Sequence, residues 1–314
     1  MRIAFMGTPE FALPSLKTLI EDGHDIAVFT QPDRPKDRGH GLAMPPVKIL
    51  ALENGLPVYQ FARISNPEGV EVLKEFAPDL MVTAAFGQIL SAEVLSIPKF
   101  GCVNVHGSLL PRYRGAAPIQ WSVVNGERMT GVTTMMTDIG LDTGDILLQR
   151  ETEIGPDETA GELYERLSVI GAELLRETIA ALVDGSLTRT PQNEELATRC
   201  GTINKEMARI DFSLPAYRIH DLVRGMNPSP IAFTELDGSL IKIYKTRIAE
   251  EYFDTFADAQ NGECVIAKSK QGLFVRCGEG SVIEITELQF AGSRRMEAKA
   301  ALNSHALLGK VLGV

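Results

Sequence analysis

The chain opens Arg2-Ile3-Ala4-Phe5-Met6-Gly7-Thr8-Pro9-Glu10-Phe11, and a second apolar run, Ile26-Ala27-Val28-Phe29-Thr30, follows. Between them Phe11, Leu16, Leu19 and Ile20 recur at near-helical spacing, and Gly23 supplies a stop. Short runs without polar alternation suit strands buried on both faces of a parallel sheet. Strand, helix and strand within residues 2–30 make a β-α-β unit, and the rest of the first half repeats that rhythm.

Residues 80–85 and 102–105 read as further buried strands, and 46–54 and 67–76 as helices. Two more strands are predicted at 132–137 and 145–152, around a turn rich in Gly and Asp. Residues 159–183 form a long amphipathic helix with Leu163, Leu167, Ile170, Leu174 and Leu175 on its apolar stripe. The pattern predicts an α/β domain with a doubly wound, mostly parallel sheet. Residues 189–206 are polar, include Pro191, Gln192 and Asn193, and read as a linker. After one short helix around Ile219, Leu222 and Val223 come strand-like pieces at 232–235, 240–244, 262–267, 273–276 and 282–288. Closely spaced short strands predict a small β-barrel. The expected domains are 1–188 and 207–314, joined by 189–206.

Composition narrows the classes. The chain has 314 residues, 44% hydrophobic and 23% charged, an ordinary globular balance. No apolar run approaches the ~18 residues of a membrane span, and residues 1–7 lack the pattern of a signal peptide. A cytoplasmic protein with no membrane partner is expected. Cys102, Cys200, Cys264 and Cys277 form no C-x-x-C pair, so neither a zinc ribbon nor a redox dithiol is expected. Net charge is −10, which argues against a general polyanion binder. The charge is uneven: residues 1–200 hold 17 Lys+Arg against 27 Asp+Glu, whereas 201–314 hold 14 of each.

The turn after the first strand has one glycine, and Pro9 removes a backbone donor, so a nicotinamide or flavin dinucleotide is not expected. The informative stretch is Asn104-Val105-His106-Gly107-Ser108-Leu109-Leu110-Pro111-Arg112-Tyr113-Arg114-Gly115-Ala116-Ala117-Pro118-Ile119. Asn104 and His106 are two apart at a strand end and share a face. The carboxyl end of a parallel strand is where α/β folds place ligands. An amide donor beside an imidazole suits an oxyanion; a strand-end histidine capping a backbone carbonyl is the competing reading. Asp138, Asp142 and Asp145 crowd a second turn, Gly140-Leu141-Asp142-Thr143-Gly144-Asp145. Their spacing alone admits Mg²⁺, but no neighbouring His or Cys joins them, and no metal is expected. Residues 31–41, Gln31-Pro32-Asp33-Arg34-Pro35-Lys36-Asp37-Arg38-Gly39-His40-Gly41, read as a surface loop or as a flap carrying cations to an anionic substrate.

The run from His106 to Ile119 resembles the 10-formyltetrahydrofolate-dependent formyltransferases. So do the first turn, Gln31-Pro32-Asp33-Arg34-Pro35, Met44-Pro45-Pro46-Val47-Lys48, Phe86-Gly87-Gln88-Ile89-Leu90, the second turn, Ala208-Arg209-Ile210-Asp211-Phe212 and Arg224-Gly225-Met226-Asn227-Pro228. The similarity covers essentially the whole chain and is closest to members acting on methionyl-tRNA. It implies a Rossmann-like formyltransferase fold with an OB-like C-terminal barrel gripping tRNA. It implies a catalytic trio, Asn104, His106 and Asp142. Ser108, Leu109, Leu110 and Pro111 would line the folate site, and Phe86, Gly87, Gln88, Ile89 and Leu90 would lie near the pterin. Phe11 would meet the methionyl side chain and Arg38 the tRNA. Phe86 stands where the family commonly has Tyr. The implied reaction moves a formyl group from 10-formyltetrahydrofolate to the α-amino group of initiator methionyl-tRNA, in support of translation initiation, with no metal. A monomer is expected. The alternative acceptor is an amino-sugar nucleotide; outside the enzymes, a non-catalytic tRNA-binding protein is the rival. The tRNA backbone would meet Arg209, Arg218, Arg224, Lys242, Lys245 and Arg247.

Overall fold

The computed structural model describes residues 1–35 and 42–313. By contact the chain divides into two compact units. The first holds Met1–Pro118, Met129–Glu153 and Tyr164–Cys200; the second holds Ile119–Arg128, Ile154–Leu163 and Gly201–Val314. The chain thus enters the second unit twice before residue 201. Residues 189–200, expected as linker, group with the first unit.

In chain order the first unit runs β1 (Arg2–Gly7), α1 (Leu13–Glu21), β2 (Asp25–Thr30), a small ladder of β3 (Arg34–Pro35) with β4 (Leu42–Ala43), α2 (Pro46–Glu53), β5 (Val58–Gln60), α3 (Pro67–Phe76), β6 (Leu80–Ala84), α4 (Ala92–Leu95), β7 (Cys102–His106) and β8 (Arg114–Gly115). Then α5 (Pro118–Val124) intervenes, followed by β9 (Met129–Met136), β10 (Ile146–Glu153) and α6 (Ala160–Asp184), with β11 (Arg199–Cys200) last. Prolines open α1, α2 and α3, where the missing N–H costs no helical bond.

Seven strands form one sheet in the order β10-β9-β7-β6-β1-β2-β5. β5, β2, β1, β6 and β7 run parallel, and β9 and β10 are antiparallel. The doubly wound expectation is met, with β5 the strand whose short, half-buried run escaped it. The central strands are apolar because helices cover both faces: Ile3, Phe5, Leu80, Val82 and Val103 are fully buried. β7, β6 and β1 are parallel neighbours, so the loops after them, near residues 107, 85 and 8, emerge side by side at one sheet edge.

In the second unit α7 (Ala216–Gly225) packs on an antiparallel sheet of β12 (Ala232–Leu236), β13 (Ser239–Ile248), β14 (Cys264–Lys268), β15 (Gly272–Arg276) and β16 (Val282–Phe290), with β17 (Met296–Glu297) paired to β16 and α8 (Ala298–Ala301) following. The pairing path is β12-β13-β16-β15-β14. This is the small β domain expected; among the described residues no ladder joins β12 to β14 to close a barrel. Ile219, Val223, Ile243, Val275 and Ile283 form its core.

Candidate active site

β7 carries both first candidates. Asn104 lies opposite Thr83 of β6 and Met135 of β9, and His106 opposite Thr133 of β9. The Thr83 hydroxyl donates to Asn104 Oδ1 at 2.8 Å. That bond fixes the amide: the oxygen is taken, and the NH₂ is left as donor. His106 is buried, with Nε2 3.0 Å from the Tyr113 carbonyl. A carbonyl only accepts, so Nε2 carries hydrogen, and Nδ1 is the nitrogen turned toward Asp142. The carbonyl-capping reading is thus seen at Nε2, which leaves Nδ1 for the other.

Nδ1 lies 3.8 Å from Asp142 Oδ2. That is too long for a hydrogen bond and short enough for strong Coulomb coupling. The ring is thus oriented by Tyr113, not by the carboxylate. Asp142 Oδ2 accepts the Gly115 N–H at 2.8 Å. The connection from β9 leaves the sheet beside Cys102, whose carbonyl takes the Thr137 N–H. It then folds back so that Asp142 returns to His106, with Asp142 in the left-handed region at φ 53°. Asp138 Oδ1 accepts from Gly140 N and Thr143 Oγ1 and so closes this turn. Gly144 is required: a Cβ there would stand 1.9 Å from the Met136 carbonyl.

The wall after His106 is held by its own Ser108 and by Thr133 of β9, Gln149 of β10 and Thr198. Ser108 Oγ donates to the Arg112 carbonyl, Thr133 Oγ1 donates to the Ser108 carbonyl, and the Leu110 N–H donates to Thr133 Oγ1. Gln149 Nε2 donates to the Leu110 carbonyl, and Thr198 N to the Pro111 carbonyl.

Two family models match the chain: "Formyl transferase" over residues 1–179 and "Formyl transferase, C-terminal domain" over residues 202–306. The chain belongs to the formyl transferase family. The methionyl-tRNA formyltransferases of Ruminiclostridium cellulolyticum and Acetivibrio thermocellus are each 50% identical to it over 315 residues, covering 100% of both chains. Among solved structures, WlaRD, a sugar 3N-formyl transferase crystallised in the presence of dTDP and 5-N-formyl-THF, superimposes with a TM-score of 0.68 at 22% identity, covering 94% of this chain and 99% of that one. At that identity the likeness speaks for the fold alone.

In this formyl transferase the other expected residues divide. The loop after β6 turns at Ala85 (φ 46°) and Gly87 (φ 77°). Its carbonyls at Phe86 and Gly87 take Gln31 Nε2, and Phe86 O also takes Thr8 Oγ1. Phe86 and Leu90 point into the core, whereas Ile89 is 87% exposed. Gln88 is spent on residues 61–64, accepting from Ile64 N and donating to Phe61 O. Ser108, fully buried, is likewise spent within its loop. Leu109 is half-buried, and its Cδ2 closes on Gly131. Phe11 is 4% exposed, with its ring 5.3 Å from Tyr164 and its N–H on the Tyr164 hydroxyl. Burial of that phenol pushes its pKa up. Arg38 lies outside the described residues.

The C-terminal cations also divide. Arg224 is buried against Asp221 and the Gly155 and Glu158 carbonyls, so it presents no surface charge. Arg209 pairs with Glu235, and Arg247 with Glu251 and Glu284. Among the described residues Arg218, Lys242 and Lys245 carry no ion pair. Sequence reasoning missed Arg114, Gln192 and Thr83. Arg114, which the sequence reading passed over, is 1% exposed and bound to Glu194 and Gln192.

Proposed function

We propose that this formyl transferase carries the formyl group of 10-formyltetrahydrofolate to the α-amino group of initiator methionyl-tRNA. The observation that carries the reaction is the meeting of an oriented amide donor, an imidazole with one working nitrogen and a carboxylate at the end of β7. Full-length identity of 50% to methionyl-tRNA formyltransferases favours that acceptor over an amino-sugar nucleotide. WlaRD's 5-N-formyl-THF and the tetrahydrofolic acid of Aquifex aeolicus HypX support a folate donor.

The neutral amine attacks the formyl carbon, forming a C–N bond and a tetrahedral oxyanion. Asn104 Nδ2 and a protonated His106 Nδ1 donate to that oxygen; losing one such donor costs ~2.7–4 kcal/mol. Asp142 holds the imidazolium by its charge and takes the proton that leaves the amine, directly or through a bridging water. Collapse breaks the bond to N10, and that nitrogen takes the proton that Asp142 received, directly or through the same water. The loops after β6 and β7 shape the folate site through backbone and apolar surface, since Gln88 and Ser108 are already satisfied. Phe11 and Tyr164 form an aromatic pair for the methionyl side chain, and Arg38 meets the acceptor end. Arg218, Lys242 and Lys245 are the C-terminal contacts offered to the tRNA backbone. The four free cysteines suit a reducing cytoplasm, and the protein works as a monomer.

The test is formyl transfer from 10-formyltetrahydrofolate to charged initiator tRNA, beside elongator methionyl-tRNA and a 4-amino-sugar nucleotide. Preferred formylation of the initiator is expected. Preference for the sugar nucleotide overturns the reading.

A further inference from the structure

The segment 190–200 straps the loop that surrounds the candidate trio. It starts at Thr190, which exchanges two backbone bonds with Ile146, and ends at β11, paired with β8. In between, Thr198 Oγ1 accepts the Tyr113 N–H, and the Thr198 carbonyl accepts the Arg114 N–H. Tyr113 is the partner of His106, and Gly115 of β8 is the partner of Asp142, so one strap touches both supports. Gln192 goes further. Its Nε2 donates at 2.8 Å to the carbonyls of Asp142 and Gly144, bracketing the left-handed turn. Its Oε1 accepts from Arg114 Nε at 2.9 Å, which fixes the amide the right way round. The buried Arg114 guanidinium is held in turn by both oxygens of Glu194.

We propose that Gln192, oriented by Arg114, is a positioning residue that holds the Asp142 turn so that one carboxylate oxygen stays between the Gly115 N–H and His106 Nδ1. The proposal rests on Asp142 acting in formyl transfer, as read above. A catalytic group displaced by about 1 Å loses up to about 10²-fold in rate. Gln192 is half-buried, and urea unfolding of each variant checks that the fold survives its truncation.

The test is a double-mutant cycle in formyl transfer to methionyl-tRNA. Gln192→Ala and Gln192→Met are expected to lower kcat by about 10- to 10²-fold, with KM for each substrate within about twofold. In an Asp142→Ala background, Gln192→Ala is expected to change kcat by less than about twofold, because its effect passes through Asp142. A full, additive loss in that background overturns the proposal, as does near-normal kcat for both single variants. Amide exchange gives a readout independent of activity. The Gly115 amide is expected to exchange at least about tenfold faster in Gln192→Met, while β7 amides keep their protection. Unchanged Gly115 protection overturns the proposal. Failure of the wild type to formylate methionyl-tRNA defeats the functional reading instead, and the exchange result still decides whether Gln192 holds the turn.

Discussion

Asp142→Asn keeps the shape of the side chain but removes its charge and, with it, the oxygen proposed to take the amine's proton. The substituted amide oxygen still accepts the Gly115 N–H, so the turn keeps its shape. The charge's own share is the attraction between the carboxylate and the His106 imidazolium. With the groups 3.8 Å apart, Coulomb's law gives about 4 kcal/mol at an effective dielectric of ~20 and about 2 kcal/mol at ~40. The Asp142 side chain is 16% exposed, which places the site between those limits rather than in a dry interior. Loss of that attraction alone lowers kcat by about 30-fold to about 10³-fold, and loss of the proton acceptor adds to it. KM for the folate donor and for methionyl-tRNA should stay within about twofold, since the lost attraction is to His106 and not to either bound substrate. Steady-state formylation of charged initiator tRNA, with urea unfolding beside it, measures both. A kcat within about threefold of wild type, in a protein of unchanged stability, would refute the electrostatic role.

Other outcomes follow from the same geometry. Thr83→Val keeps shape but deletes the donor to Asn104 Oδ1; a hydrogen bond worth about 1 kcal/mol should cost about fivefold in kcat, and an unchanged kcat would show that Asn104 needs no such orientation. Gly115 sits at φ 121°, and a Cβ there would lie 2.1 Å from the Cys200 carbonyl, so Gly115→Ala should lose about 3 kcal/mol in urea unfolding; a neutral result would contradict the β8–β11 packing. Asp33 is held below the usual carboxylate range by hydrogen bonds from Lys48 and Gln60. A depressed folded pKa means stability that is complete above the unfolded value of about 4 and lost as pH falls through the folded one. Lys48→Met should therefore remove part of the acid-side loss below about pH 4, and an identical acid limb would contradict this pair.

Much of the fold was legible because it rests on local pattern. Buried strands at 3–6, 26–30, 80–85 and 102–105 carry apolar runs that nothing else explains, and the long helix announces itself through the stripe of Leu163, Leu167, Ile170, Leu174 and Leu175; the structure adds that Thr159 and Glu162 cap each other's N–H groups. β5 was hidden because three half-buried residues leave no run. Asn104 and His106 could be paired from strand periodicity. Asp142 could not, since β9 runs antiparallel and its turn begins beside Cys102, at the other end of β7; only the resemblance joined them. Arg114 was passed over, and Gln192 was taken for linker, for a related reason. A polar stretch such as 189–200 looks solvated until a buried guanidinium shows what its amides and carboxylates are bonded to. Three of the six C-terminal cations were overcounted because charge in sequence does not reveal a neighbouring carboxylate.

The most direct test is single-turnover formyl transfer from 10-formyltetrahydrofolate to initiator methionyl-tRNA by the wild type and by Asn104→Ala, His106→Ala and Asp142→Ala. Each substitution is expected to slow the bound chemical step by at least about 10² while folate binding stays within about twofold. A His106→Ala protein that is folded, binds folate and transfers formyl at close to the wild-type rate would contradict the account.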